Sequence, residues 1–122
     1  MERIERTVRL PGPATRVWAT ITEDLSGWFG ADVALEGRPG GRVTFRWPDG
    51  RERGAIVEEF RPPSRFSFRW LPFERSGGET TPVPATRVEF DLEEFEVGVR
   101  LRVTERPMGP TAASPFLLAG AR

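Results

Sequence analysis

From Val43 onward the chain alternates apolar and polar residues with a period of two. Val43, Phe45 and Trp47 are interleaved with Arg42, Thr44 and Arg46, and Phe66, Phe68 and Trp70 with Arg65, Ser67 and Arg69. Val88, Phe90 and Leu92 follow among Arg87, Glu89, Asp91 and Glu93, and then Val97, Val99, Leu101 and Val103 with Arg100 and Arg102. Successive side chains of a strand point to opposite faces, so each stretch has one apolar and one charged side. Turn residues separate the stretches: Gly37-Arg38-Pro39-Gly40-Gly41, Pro48-Asp49-Gly50 and Arg61-Pro62-Pro63. Residues 53–60 add a further strand, and a Gly/Pro-rich polar loop is expected over about 74–84. The pattern predicts a run of hairpin-linked strands forming an antiparallel sheet with one apolar and one polar face. If the last two strands pair, Glu89 and Asp91 are expected near Arg100 and Arg102.

The first forty residues read differently. Residues 3–10 predict a strand with Ile4, Val8 and Leu10 on one face, interrupted by Arg6. Pro11-Gly12-Pro13 breaks it, and Pro13 suits the first position of a helix. Ala14, Val17, Trp18 and Ile21 then recur at helical spacing and define one buried face. Residues 25–29 predict a second short helix closed by Gly30, with Trp28 and Phe29 turned to the core. The expected architecture is α+β: a curved antiparallel sheet of six to seven strands, with two short helices after the first strand.

Composition limits the chemistry. At 122 residues the chain fits one domain with a real core, and 18 acidic against 18 basic residues argue against nucleic acid as the main partner. The sequence contains no His, Cys, Tyr, Lys, Asn or Gln, so every basic residue is Arg. Without Cys there is no thiolate nucleophile or zinc–thiolate site. Without His the commonest general base and transition-metal ligand are missing, and a Ser–His–Asp triad is impossible. Without Lys there is no Schiff-base chemistry. Carboxylates remain, but Glu58 and Glu59 are expected on opposite faces of a strand, and Glu94 and Glu96 in solvent beside a turn. No catalytic residue, metal site or cofactor is expected. The charged N-terminus and the short apolar run 116–121 lead us to expect no membrane partner and a cytoplasmic, bacterial setting.

Several stretches carry a resemblance. They are Arg16-Val17-Trp18-Ala19, Trp28-Phe29-Gly30-Ala31-Asp32, Arg38-Pro39-Gly40-Gly41-Arg42, and the run from Glu58-Glu59-Phe60-Arg61-Pro62-Pro63 to Phe66-Ser67-Phe68-Arg69-Trp70. Arg87-Val88-Glu89-Phe90 and Arg100-Leu101-Arg102-Val103-Thr104 complete the set. In order and spacing the chain resembles the SRPBCC (START-like, helix-grip) superfamily, in the branch named after the activator of heat-shock protein 90 ATPase. The resemblance implies a single domain over 1–122, with a folded core over 1–106. It also implies a groove for small apolar molecules or, as an alternative, a co-chaperone-like protein-interaction module with a part in the stress response. One departure stands out: the family's long C-terminal helix lies across the sheet, yet Pro107, Gly109, Pro110 and Pro115 interrupt this chain's tail. The tail, 107–122, is therefore expected to be irregular or a short helix, leaving part of the apolar face uncovered. Homodimerisation over that face is the simplest consequence, and a truncated remnant of the fold is the other.

The ligand-binding set expected in the groove is Trp28 and Phe29 from the helices with Phe45, Trp47, Phe68, Trp70 and Phe90 from the strands. The competing reading is that these rings simply fill the core. Arg42, Arg46, Arg65 and Arg69 could together form a basic stripe for an acidic surface.

Overall fold

A computed structural model describes residues 3–108. The chain forms β1 (Ile4–Leu10), α1 (Ala14–Glu23), α2 (Leu25–Phe29), β2 (Asp32–Leu35), β3 (Arg42–Arg46), β4 (Arg51–Arg61), β5 (Arg65–Ser76), β6 (Glu79–Pro82), β7 (Thr86–Phe95) and β8 (Gly98–Pro107). All strands pair antiparallel in one open sheet of order β1-β8-β7-β5-β4-β3-β2, with β6 paired to the far end of β5. The sheet has eight strands rather than six or seven. The extra strand lies where a loop was expected: β5 runs on to Ser76 and turns back through Gly77 and Gly78 into β6. Both glycines have positive φ, which a two-residue hairpin turn requires, and that turn chemistry outweighs the polar, Pro-containing sequence around it.

Both helices lie on the apolar face, called here the inner face. In α1, Ala14, Val17, Trp18 and Ile21 are buried as their spacing predicts, and Pro13 precedes the helix as its N-cap rather than opening it. Trp18 packs edge-on to Phe60 and Phe66 at 5.3 and 6.4 Å. Gly30 ends α2 with φ of 64°, a left-handed conformation that glycine adopts without strain, and its N–H bonds the Ser26 carbonyl. The core is continuous beneath the helices. Phe45, Phe66, Phe68, Phe90, Val43, Val57 and Leu101 are all fully buried there.

Rows across the inner face follow from the register. One row runs Ile4, Glu105, Val88, Phe68, Val57, and the next runs Arg6, Val103, Phe90, Phe66, Phe60. The helices cover the part built on β3–β5 and β7. Toward the β1 edge the same face opens: Ile4 is 51% and Val8 42% exposed. The expected irregular tail and missing C-terminal helix fall outside the described residues, apart from Pro107, which still pairs with Thr86 in the sheet, and Met108, whose N–H donates to the Ala85 carbonyl.

Candidate functional site

The seven expected groove residues do come together, as one aromatic cluster. Phe29 of α2 reaches Phe45, Phe68 and Trp70 with ring centroids 5.2, 6.0 and 6.0 Å apart. Phe45 packs on Trp70 at 4.4 Å and stacks on Trp47 at 5.9 Å. Trp47 is fixed from the helix side, since its indole N–H donates to the Phe29 carbonyl at 3.0 Å. It also lines a cleft of about 660 Å³ with Gly27, Gly30, Asp32 and Arg46. Phe45, Phe68 and Phe90 are fully buried, and Trp70 nearly so. Trp28 departs from expectation: it stands edge-on to Phe90 at 6.1 Å but is 43% exposed, while Leu25 is the buried residue of α2. In a five-residue helix only one side faces the sheet, and Leu25 and Phe29, four apart, take it. Trp28 therefore stands where the covered and open parts of the inner face meet.

Polar groups that were not anticipated line one end of this face. Arg53 lies opposite Phe45, and its guanidinium lies 4.7 Å from the Trp70 ring centroid. It donates to the Leu71 and Pro84 carbonyls at 3.2 and 2.8 Å. Burial pushes its pKa down from the ordinary arginine value, and the fields of Glu74 and Glu105 oppose that shift. Beside it, the buried Thr86 hydroxyl donates to Glu105 Oε2 at 2.6 Å. Period two already places Thr86 two residues before Val88 and Glu105 two after Val103. Both belong to the inner face by the same rule that found its apolar members. At the opposite end, Glu94 is exposed beside the turn as expected, and its carboxylate also accepts the Ala14 N–H at 3.0 Å, at the positive end of α1.

The outer face is a lattice of ion pairs. Arg65 is its centre and donates to Glu59, Asp91 and Glu89. Arg106 also reaches Glu89, at 2.8 Å. Arg87 and Arg69 share Glu58. Hydrogen bonding to Glu59 holds the Arg65 guanidinium above its ordinary value, and the same bond pulls the Glu59 carboxyl below its own. Two expectations are corrected here. Glu58 and Glu59 share the outer face, because the register shifts between Val57 and Glu59 and the inserted residue breaks the alternation. The spacing of Val57 and Phe60, two inner residues separated by two carboxylates, was the available sign. The second correction concerns pairing. Asp91 does stand opposite Arg102, as expected of the β7–β8 pair, but it bonds Arg65 on β5. Glu89 bonds Arg106 on β8 at 2.8 Å as well as Arg65 at 3.1 Å, while Arg102 turns to Glu5 and Arg100 to Glu93. Of the four arginines of the expected basic stripe, Arg46, Arg65 and Arg69 are engaged by carboxylates, which leaves Arg42, exposed and without an ion pair among the described residues, as an isolated charge rather than part of a stripe.

Among the described residues no cluster of three or more acidic side chains is arranged to hold a metal, and no helix is long and apolar enough to cross a membrane. The model of the family described as Activator of Hsp90 ATPase homolog 1-like protein matches residues 11–115. The chain belongs to this family. The helix-grip fold of this Hsp90-activator-like domain is also that of several solved structures. Protein MLL2253 from Mesorhizobium loti superposes with a TM-score of 0.72 at 15% identity, over 91% of this chain and 80% of that one. The Aha1 dimer from Colwellia psychrerythraea gives 0.68 at 19%, again over 91% and 80%. DynU16, a protein of the dynemicin biosynthetic locus, gives 0.69 at 21% over 98% of this chain, which spans only 43% of DynU16. At such identities the likeness is one of fold. No curated protein matches the chain.

Proposed function

We propose that this domain is a non-catalytic holder of a small hydrophobic or aromatic molecule, bound between the helix pair and the inner face of the sheet. The observation that carries this reading is the continuity of the apolar inner face. It begins at the packed cluster of Phe29, Phe45, Trp47, Phe68, Trp70 and Phe90, passes the half-exposed Trp28 and Val103, and reaches the exposed Ile4 and Val8 on either side of Arg6. Apolar walls with a few polar groups at one end are the usual make-up of a small-molecule site. Trp28, Ile4 and Val8 would meet the ligand first, while the deeper rings supply shape and rigidity.

Native mass spectrometry of the full chain and a thermal-shift screen of lipids and aromatic compounds test this. A retained ligand, or a rise in melting temperature on adding an apolar compound, is expected. An empty protein that nothing in the screen stabilises would overturn it.

A second reading, a protein-interaction surface, has its own support. The β7–β8 turn presents Val97, 85% exposed, beside Phe95, with the guanidinium of Arg100 4.6 Å from the Phe95 ring centroid. A second copy of the chain is the simplest such partner, and the solved Colwellia relative is a dimer. Sedimentation velocity across a concentration series distinguishes the readings. A dimer that Val97→Glu dissociates favours the interaction surface, and a monomer that takes up apolar ligands favours the holder.

A further inference from the structure

Arg53 and Glu105 differ from most charged residues of the sheet. Among the described residues, Arg53 hydrogen-bonds only backbone carbonyls, and Glu105 accepts only from Thr86. Their partners lie two residues apart on one stretch of chain, Arg53 on the Pro84 carbonyl and Glu105 on the Thr86 hydroxyl, and among the described residues no direct bond joins the two charges. Both lie at the same end of the inner face. Trp70 backs Arg53, and Ile4 and Val88 flank Glu105 across the register. A partly desolvated donor and a partly desolvated acceptor thus stand next to one another at the end of an apolar surface.

We propose that this end of the inner face selects ligands with a neutral head carrying an acceptor beside a donor, a carboxamide-like group on an apolar body. The head's carbonyl would accept from Arg53 and its N–H donate to Glu105. The proposal deepens the apolar-holder reading and rests on it. The balance of charge is the reason for a neutral head. A carboxylate would gain from Arg53 and be repelled by Glu105, and an ammonium would meet the reverse. A head with both functions meets both groups without repulsion.

The test uses three probes sharing one body, octanamide, octanoate and octylammonium, titrated into the full chain at neutral pH by calorimetry. The amide is expected to bind about tenfold more tightly than either ion, as one hydrogen bond to a charged group gives. Glu105→Gln should shift the preference toward octanoate, and Arg53→Gln toward octylammonium. These opposite shifts cannot come from general loss of structure, and the wild-type ranking needs no variant. If the ions bind as well as the amide, or the two variants shift the ranking alike, the head assignment is overturned while the apolar-holder reading stands. If none of the three binds although the lipid and aromatic screen finds a ligand, the head assignment alone is again overturned. If none binds and the screen is silent, both fall.

Discussion

The two faces of this sheet treat charge in opposite ways. On the outer face the arginines of β5 and β7 meet carboxylates across the strands, with Arg65 alone engaging three. On the inner face the described structure gives Arg53 no carboxylate and Glu105 no cation within bonding reach, and Arg6 stands exposed between Ile4 and Val8. Outer-face charges complete one another and therefore serve the fold. Among them Arg53 carries a desolvation cost that no bonded carboxylate offsets, which is the mark of a surface arranged for something else. Substitutions on the two faces should accordingly separate stability from binding.

The largest effect should come from the rings beneath both faces. Phe45 is fully buried against Phe29, Trp47, Phe68 and Trp70. Phe45→Ala should cost about 3–5 kcal/mol in urea denaturation, from lost transfer energy plus the cavity left among rings held at β3, β5 and α2. A cost below about 1 kcal/mol would mean that the cluster is loosely packed and better described as a binding pocket than as a core.

Arg65→Ala comes next. It leaves Glu89, almost wholly buried, with Arg106 as its remaining charged partner. A loss of about 1–3 kcal/mol is expected, since a buried carboxylate deprived of a charged donor keeps its desolvation cost. Arg65→Lys should recover only part, because one ammonium cannot reproduce a planar fork spread over Glu59, Glu89 and Asp91. Arg53→Gln is the matched change on the other face. If it destabilises as much as Arg65→Ala, Arg53 serves the fold and the contrast between the faces fails.

A smaller signal should appear in acid. The Glu59 carboxyl lies below the ordinary glutamate value of 4.5, chiefly because Arg65 donates to it. A depressed folded-state value favours the ionised fold. Its contribution is complete above the ordinary value and is lost as pH falls through the lower folded one. Unfolding midpoints followed from pH 6 down to pH 3 should fall less steeply in Glu59→Gln than in the wild type. Arg65→Ala should flatten the same window, since it removes the cause. The Arg53 shift adds nothing here, because an arginine stays charged throughout that range.

Much of this was legible in the sequence, and what was missed has a common physical cause. Period two located β3, β5, β7 and β8 and sorted their apolar side chains, because residues such as Phe66, Phe68 and Trp70 have only one face that can be buried. Alternation cannot register an inserted residue, so the bulge at Glu58 went unseen and the two carboxylates were placed apart. Nor does hydrophobicity flag polar residues of inward parity. Thr86, Glu105 and Arg53 were passed over for that reason, although the first two follow the count from Val88 and Val103. Trp28 shows the reverse error: a large ring was assigned to the core by its type, whereas helix geometry gives that place to Leu25. In each case the missed residue is one whose surroundings, rather than its own chemistry, decide its role.

The smallest effect on stability should accompany a large effect on binding. Val8 is 42% exposed on β1, opposite Leu101 on the inner face. Val8→Ser removes little buried area, so chemical denaturation should move by no more than about 0.5 kcal/mol. The same change puts a hydroxyl into the open apolar stretch that continues from Trp28, and any thermal shift produced by an apolar ligand should shrink markedly. Thr7→Ser, one residue earlier, points to the outer face and supplies the control: it alters the same edge strand but not the inner surface. Equal losses of ligand response in the two variants would show that β1 contributes through its backbone or its flexibility. A loss confined to Val8→Ser would locate the ligand on the inner face at the β1 edge. That face could then be assigned to binding even though its substitution leaves the fold unchanged.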